Sequence, residues 1–446
     1  MSLPKNVLYK NNIESSYARN YNNNIAPQNG TGPYAGGETI IINVPTGRNL
    51  VMSGADSVFK FGVTVTGGGV ASNFLRLDRG GAHSLIKRIR IFHGSTLLSD
   101  IDNYNNLVAM MMALQQSGDS SHGKQSIMAG LESVGVVASS QSEPLLTGER
   151  LNPGAALGNG VTTTKRTYAI PMMNFVSYTD KYVPLFALNG APLRFEIQLV
   201  ATPAEAICTE TAVVSFAVTD VEYIVNFMEL SDSGMNIINS SLGGAPLKWV
   251  VQDYRNYSHS ATIANNAQLS VPVPAKFNSL RSIFTSYRTK SAGEDTFFPL
   301  CSHHLGLSSY TWRLGSKTVP TKAPSTYTEM FCELMRAIGS VSDLNHEPNI
   351  SSATYADVQA AVANNESATV PTINTHSNAF YKGIDLESYS SSGMDSVYQG
   401  YNSSTGDIFF NPVCGAAATA GQVVIDNYAY FDQVIVIENG YASVQF

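Results

Sequence analysis

The stretch Leu85-Ile-Lys-Arg-Ile-Arg-Ile-Phe-His-Gly-Ser-Thr-Leu-Leu-Ser-Asp-Ile-Asp-Asn103, followed by the apolar run Leu107–Leu114, decides how the chain is read. Alternation sets Ile89, Ile91 and His93 on one face of a strand, with Arg88, Arg90 and Phe92 on the other. Gly94-Ser95 suits a tight hairpin reversal. Asp102 or Asn103 can then cap a helix whose apolar positions Leu107, Met110, Met111 and Leu114 recur at helical spacing. The construction returns at Tyr310-Thr-Trp-Arg-Leu314, with Gly315-Ser316, a short strand through Val319 and a second helix over Thr328–Ala337. Gly94 and Gly315 lie 221 positions apart in a chain of 446. The chain reads as one architectural unit made twice.

Working outward, strand-like segments recur on both sides of each copy. In the first half they are Thr39–Val44, Val58–Val65, Phe74–Leu77, Thr167–Ile170, Tyr182–Leu188, Leu193–Val200, Val213–Thr219 and Val221–Phe227. In the second they begin at Leu247-Lys-Trp249 and end at Ala442–Phe446. So many short strands with so few helices exclude a doubly wound sheet and predict an all-β chain of two units, each a two-sheet sandwich or jelly roll with short accessory helices. The expected division is an N-terminal arm over 1–37, a first roll over 38–231, a linker over 232–246 and a second roll over 247–446. The arm has no sustained period; Tyr17, Tyr21 and Tyr34 could anchor it against another subunit. Gln115–Gly160 and Gly339–Asn378 form long polar excursions at equivalent places, too long for ordinary loops.

Composition narrows the function. Only 14% of the residues are charged, against roughly 25% in ordinary globular chains, while 43% are hydrophobic. Depletion of charge accords with extensive burial between subunits. A net charge of −7 does not suggest a dedicated nucleic-acid binder. Met1-Ser-Leu-Pro-Lys5-Asn lacks the apolar core of a signal peptide, and no run reaches transmembrane length. Cys208, Cys301, Cys332 and Cys414 are scattered and read as reduced. The sequons at Asn29, Asn239, Asn256, Asn349, Asn365 and Asn402 carry little weight in so Asn- and Ser-rich a chain.

The apparent chemical motifs have plain readings. Gly118-Asp-Ser-Ser-His-Gly-Lys124-Gln125 approaches a phosphate-binding loop, but Gln125 stands where a magnesium-reaching Ser or Thr is required. His303-His304 has no set of ligands at metal spacing. Asp100 and Asp102 fit hydrogen bonding at the strand-to-helix junction, and Glu294-Asp295 fits a solvated turn. Lys87, Arg88 and Arg90 form a basic cluster without aromatic platforms, suited to pairing with acids of a neighbouring subunit. Phe92 and Trp312 read as packing anchors. No catalytic, cofactor-binding or metal-binding residues are assigned.

Arg76–Tyr104, with Phe380-Tyr-Lys-Gly-Ile-Asp-Leu-Glu387 and the terminal Tyr430–Phe446, resembles the double jelly-roll major capsid proteins of Polinton-like viruses and virophage-related double-stranded DNA viruses. The resemblance implies two tandem eight-stranded jelly rolls with short accessory helices (a double jelly roll), a structural protein of the virion and no enzyme. Three chains would form a pseudo-hexagonal capsomer tiling an icosahedral shell. The implied partners are two further copies in a homotrimer, neighbouring capsomers, and penton and minor capsid proteins. It implies no cofactor and no specific nucleic-acid recognition, and leaves contact with an internal membrane open. A trimeric receptor-binding or carbohydrate-binding jelly-roll surface protein is the alternative, which would place aromatic, Asn and Asp clusters in exposed loops. Lys124→Ala should leave folding and assembly at wild-type levels, and the unmodified protein should show no ATP binding by calorimetry; nucleotide binding abolished by Lys124→Ala would contradict this.

Overall fold

The computed structural model describes residues 18–67, 75–131, 162, 165–179, 181–209, 213–289, 300–339, 341, 348–350, 352, 355, 379–388, 400–416 and 421–446. Tyr17, Glu294-Asp295 and most of both polar excursions lie outside them. The first half contains β1 (Ala18–Ile25), β2 (Thr39–Val44), β3 (Leu50–Gly67), β4 (Leu75–Leu77), β5 (Ile86–His93), β6 (Thr96–Asp102), β7 (Arg166–Ile170), β8 (Leu193–Leu199), β9 (Ile207–Thr209) and β10 (Val213–Leu230). The second contains β11 (Leu247–Ile263), β12 (Val271–Val273), β13 (Leu280–Thr289), β14 (Leu307–Leu314), β15 (Lys317–Val319), β16 (Lys382–Asp385), β17 (Ile408–Cys414), β18 (Gly421–Glu438) and β19 (Tyr441–Gln445).

The pairing repeats strand for strand. In the first half, β1-β10-β3-β7 and β2-β8-β5-β6 form two four-stranded antiparallel sheets. In the second, β11-β18-β13-β16 and β12-β17-β14-β15 have the same order, and β19 adds to β18. Setting aside the short β4–β9 pair and β19, each half has eight strands in two facing sheets, a jelly roll. The chain is a double jelly roll.

Alternation explains why the sheets face one another. Along β2, Ile40, Ile42 and Val44 are fully buried, and along β8 so are Phe195 and Ile197. β5 follows the sequence reading, with Ile89, Ile91 and His93 inward. Both hairpins turn on two residues: His93 pairs with Thr96 across Gly94-Ser95, and Leu314 with Lys317 across Gly315-Ser316. Gly94 and Gly315 take φ of +59° and +60°, a left-handed conformation that suits glycine. Trp312 is fully buried beside Phe410 at 4.6 Å between centroids, a packing anchor as expected. Phe92 is not; it lies half-exposed on the outer face, with the Arg194 guanidinium 4.7 Å from its ring centroid.

Several boundaries differ from the sequence reading. Ala18–Ile25, placed in the irregular arm, pairs with β10 along its whole length. Its polar run Arg-Asn-Tyr-Asn-Asn-Asn conceals an edge strand exposed on its outer side, where burial imposes no apolar alternation. Tyr34 is already buried within the chain, its hydroxyl 3.0 Å from Asn29 Oδ1, so it needs no second subunit to cover it. Tyr182–Leu188 makes only an isolated bridge, Val183 with Met52. Within 232–246, Asp232–Leu242 is a helix, capped by the Ser231 hydroxyl accepting from Gly234 N and ending at Gly243 with φ +56°. Val213–Thr219 and Val221–Phe227 are one strand, interrupted near Asp220, whose φ is +51°.

Candidate assembly joint between the two rolls

The two equivalent helices occupy unequal surroundings. Tyr104–Gln115 is buried nearly all round: Leu107, Met110, Met111 and Leu114 are covered, and so are Asn105 and Asn106. Tyr327–Ile338 buries only Met330 and Leu334. The start of the first helix is seated on the outer face of the second roll's β11-β18-β13 sheet, where Asn103 and Asn106 meet Asp426, Ser286 and Tyr428.

At its centre is Asp426 of β18, whose side chain is fully buried. One carboxylate oxygen accepts from Arg288 Nε and Nη2, each at 2.6 Å, and from Asn106 Nδ2 at 3.1 Å. The other accepts from Ser258 Oγ at 2.6 Å, Asn103 Nδ2 at 3.0 Å and Asn256 Nδ2 at 3.4 Å. Asn106 also donates to Ser286 Oγ at 2.7 Å, and the Tyr428 hydroxyl donates to the Asn103 carbonyl at 2.8 Å. A buried carboxylate is tolerable only when paired and hydrogen-bonded, and here two of its donors come from the other roll. Asn103 stands at the helix start, but its amide makes no cap; it serves Asp426. Its φ of +47° turns it into that position.

Further contacts extend the joint. Gln433 Nε2 donates to the Leu98 carbonyl at 3.3 Å, and Leu300 N to Asp78 Oδ2 at 2.7 Å. His93 Nδ1 accepts from Ala442 N at 3.2 Å, and Phe175 meets Trp249 edge-on at 5.5 Å. Asp253 of β11 is buried where that strand meets β6. Burial pushes its carboxyl up to about 7; Asp100 adds to the rise and Arg255 opposes it.

The remaining sequence candidates fall into place. Arg88 grips Asp100 through two bonds of 2.7 and 2.6 Å, and Arg90 pairs with Glu196 at 2.9 Å, so these acids come from the same sheet rather than a neighbouring subunit. Asp100 therefore lies within β6 as an ion-pair partner, while Asp102 accepts from Asn103 N at the junction. Gly118–Ala129 is helical turns following a helix, not a strand-to-helix loop. His304 lies 4.6 Å from Phe380 and 4.9 Å from Tyr327 between ring centroids, and burial pushes it down to about 4. Among the described residues no three His, Cys, Asp or Glu side chains gather as a metal site. Cys332 and Cys414 are free thiols, and Cys301 is buried. No helix among the described residues is long and apolar enough to cross a membrane. Lys382, unremarked in the sequence, is enclosed in the second roll with its ammonium 3.5 Å from the Tyr287 ring centroid; burial pulls it well below its ordinary value.

The fold is similar to that of several viral major capsid proteins. The chain superposes on PBCV-1 VP54, as fitted into a reconstruction of the virophage Sputnik, with a TM-score of 0.61 at 9% identity, covering 98% of this chain and 99% of that one. Against the Faustovirus major capsid protein the TM-score is 0.59 at 10% identity, covering 97% and 92%. Against the mavirus major capsid protein it is 0.58 at 11% identity, covering 100% and 93%. No protein-family model matches the sequence, and no curated protein matches it.

Asp253 supplies a pH test. Its folded-state value of about 7 exceeds the ordinary 3.8, so the folded protein holds a proton that the unfolded chain releases in between. That contribution to stability is full below the unfolded value and is lost as pH rises through the folded one. Asp253→Asn should remove this loss. The difference in urea-unfolding free energy, variant minus wild type, should rise between about pH 4 and 7 and then level; a flat difference would contradict the assignment.

Proposed function

We propose that this chain is the major capsid protein of an icosahedral double-stranded DNA virus, a non-enzymatic shell component of the virion. The observation that carries this reading is the identical strand order of two jelly rolls fixed side by side by a buried polar joint. Full-length similarity to viral major capsid proteins supports it. Two similar wedges per chain let three chains present six, so one gene product approximates a hexagonal tile. We further propose that the chain divides at the helical segment within 232–246, with the first roll extended back to include β1.

The partners under this reading are two further copies in a homotrimer, neighbouring capsomers, and the penton and minor proteins that complete a closed shell. The surface chemistry accords with enclosing nucleic acid rather than gripping it: the chain carries a net charge of −7, and Arg88, Arg90 and Arg281 are engaged by Asp100, Glu196 and Glu387. Light scattering on the purified protein should give about three times the 47.9 kDa chain mass, and raising the concentration should yield closed shells or hexagonal arrays. A stable single-chain species under those conditions would overturn the reading.

A further inference from the structure

Two basic side chains of the second roll gather around one ring, Phe380, with no acid to pair them. Lys382, at the start of β16, is fully buried; its Nζ lies 3.5 Å from the Tyr287 ring centroid, 4.5 Å from that of Phe380 and 3.5 Å from the Phe380 carbonyl. His304 meets the same Phe380 edge-on at 4.6 Å, and Tyr327, the first residue of the Tyr327–Ile338 helix, lies 4.9 Å from His304. Among the described residues no carboxylate acts on either base.

His304 is bonded in a way that only its neutral form allows. Its Nδ1 accepts from Gly306 N at 3.2 Å. A backbone amide only donates, so that nitrogen carries no proton. Adding one would set donor against donor in a turn where Leu305 and Gly306 take φ of +52° and +73°. Leu305 holds a left-handed conformation that an L side chain keeps only when its surroundings enforce it. Burial is the main force against a charge on the ring; Lys382 adds to it and the Leu307 backbone opposes it, leaving the imidazole at about 4. The other titratable groups nearby are engaged or neutral. Glu329 caps the helix and pairs with Lys322, and Glu333 pairs with Arg336. Asp385 and Glu387 lie with Arg281. Burial pushes the Tyr287, Tyr310 and Tyr355 hydroxyls up, and His303 is buried.

We propose that His304 is an acid-sensitive latch on the Tyr327–Ile338 helix: neutral, it closes the turn to Gly306 and packs against Tyr327; protonated, it breaks the turn's hydrogen bond and lets the helix start part from Phe380. The closed-state value of about 4 lies below the ordinary 6.5, so as pH falls the open form takes up its proton first. The latch holds fully above about 6.5, weakens as pH falls toward about 4 and loses no more below that. Asp253 responds in the opposite sense, because the fold favours its protonated form. In a shell built of this chain, mild acid would thus act on the second roll's helix and spare the contact between β11 and β6.

Hydrogen exchange on the full chain, read by mass spectrometry and corrected for the intrinsic effect of pH, tests the latch. From pH 8 to pH 5 the amides between Met330 and Ala337 should open at least about tenfold more often, while those of Tyr104–Gln115 should not change. His304→Asn keeps an acceptor near the place of Nδ1 but takes up no proton, and should abolish the response. Lys382→Met removes the neighbouring amine and should shrink the response, because His304 then keeps its proton more readily in the closed form. Equal protection of the second helix at both pH values would overturn the latch, as would a full response surviving in His304→Asn or, should that variant not fold, in Lys382→Met. The readout needs no assembly. A chain that shows the latch but never assembles overturns the capsid reading alone, and a chain that builds shells without the acid response overturns the latch alone.

Discussion

The buried Asp426 carboxylate is the constraint on which the arrangement of the two rolls depends. An isolated charge in that position would cost far more than a domain's whole stability margin. Arg288, Ser258 and Asn256 meet part of the demand from within the second roll, and Asn103 and Asn106 meet the rest from the first. Those amides reach it only because the helix starts where β6 ends. The hairpin at Gly94-Ser95, the length of β6 and the left-handed turn at Asn103 are thus parts of one device. Removing either roll would expose the joint to water and leave the Asn103 and Asn106 amides or the carboxylate without these partners.

Such a joint specifies geometry more than it adds stability. Buried ion pairs often contribute no more than well-packed apolar groups of the same size, but they tolerate few alternative registers. Under the proposed shell-building function, a chain that must hold two rolls at one angle gains from that intolerance. The surrounding contacts act in the same sense. The β18–β19 turn reaches the first roll, with Gly190 N donating to the Gly440 carbonyl at 3.0 Å and Tyr441 edge-on to His93.

Much of the fold was legible in the sequence, for a physical reason. The strands read at Thr39–Val44 and Leu193–Val200 have one face in a core, so burial writes a period of two into them. β1 was missed because a solvent-facing edge strand of Arg, Asn and Tyr carries no such period. The helix at Asp232–Leu242 was missed because Gly, Ser and Asn dominate it and only Met235 is buried. The joint was hardest to see. Asn103 and Asn106 look like ordinary helix-start residues, and Asp426 looks like one acid in a strand; their meeting depends on 320 residues of intervening fold. The signal that could have pointed to it was the polar start of an otherwise apolar helix, Tyr104-Asn-Asn106, where two adjacent amides have no apolar face to join.

The most direct measurement is electron cryomicroscopy of particles assembled from the purified full-length chain, at a resolution that traces helices. The account predicts a threefold capsomer with six lobes of similar height, each lobe one roll, and within each chain the start of the Tyr104–Gln115 helix seated on the β11-β18-β13 sheet. A capsomer of any other symmetry, or one in which the two rolls of a chain lie apart without that contact, would contradict it.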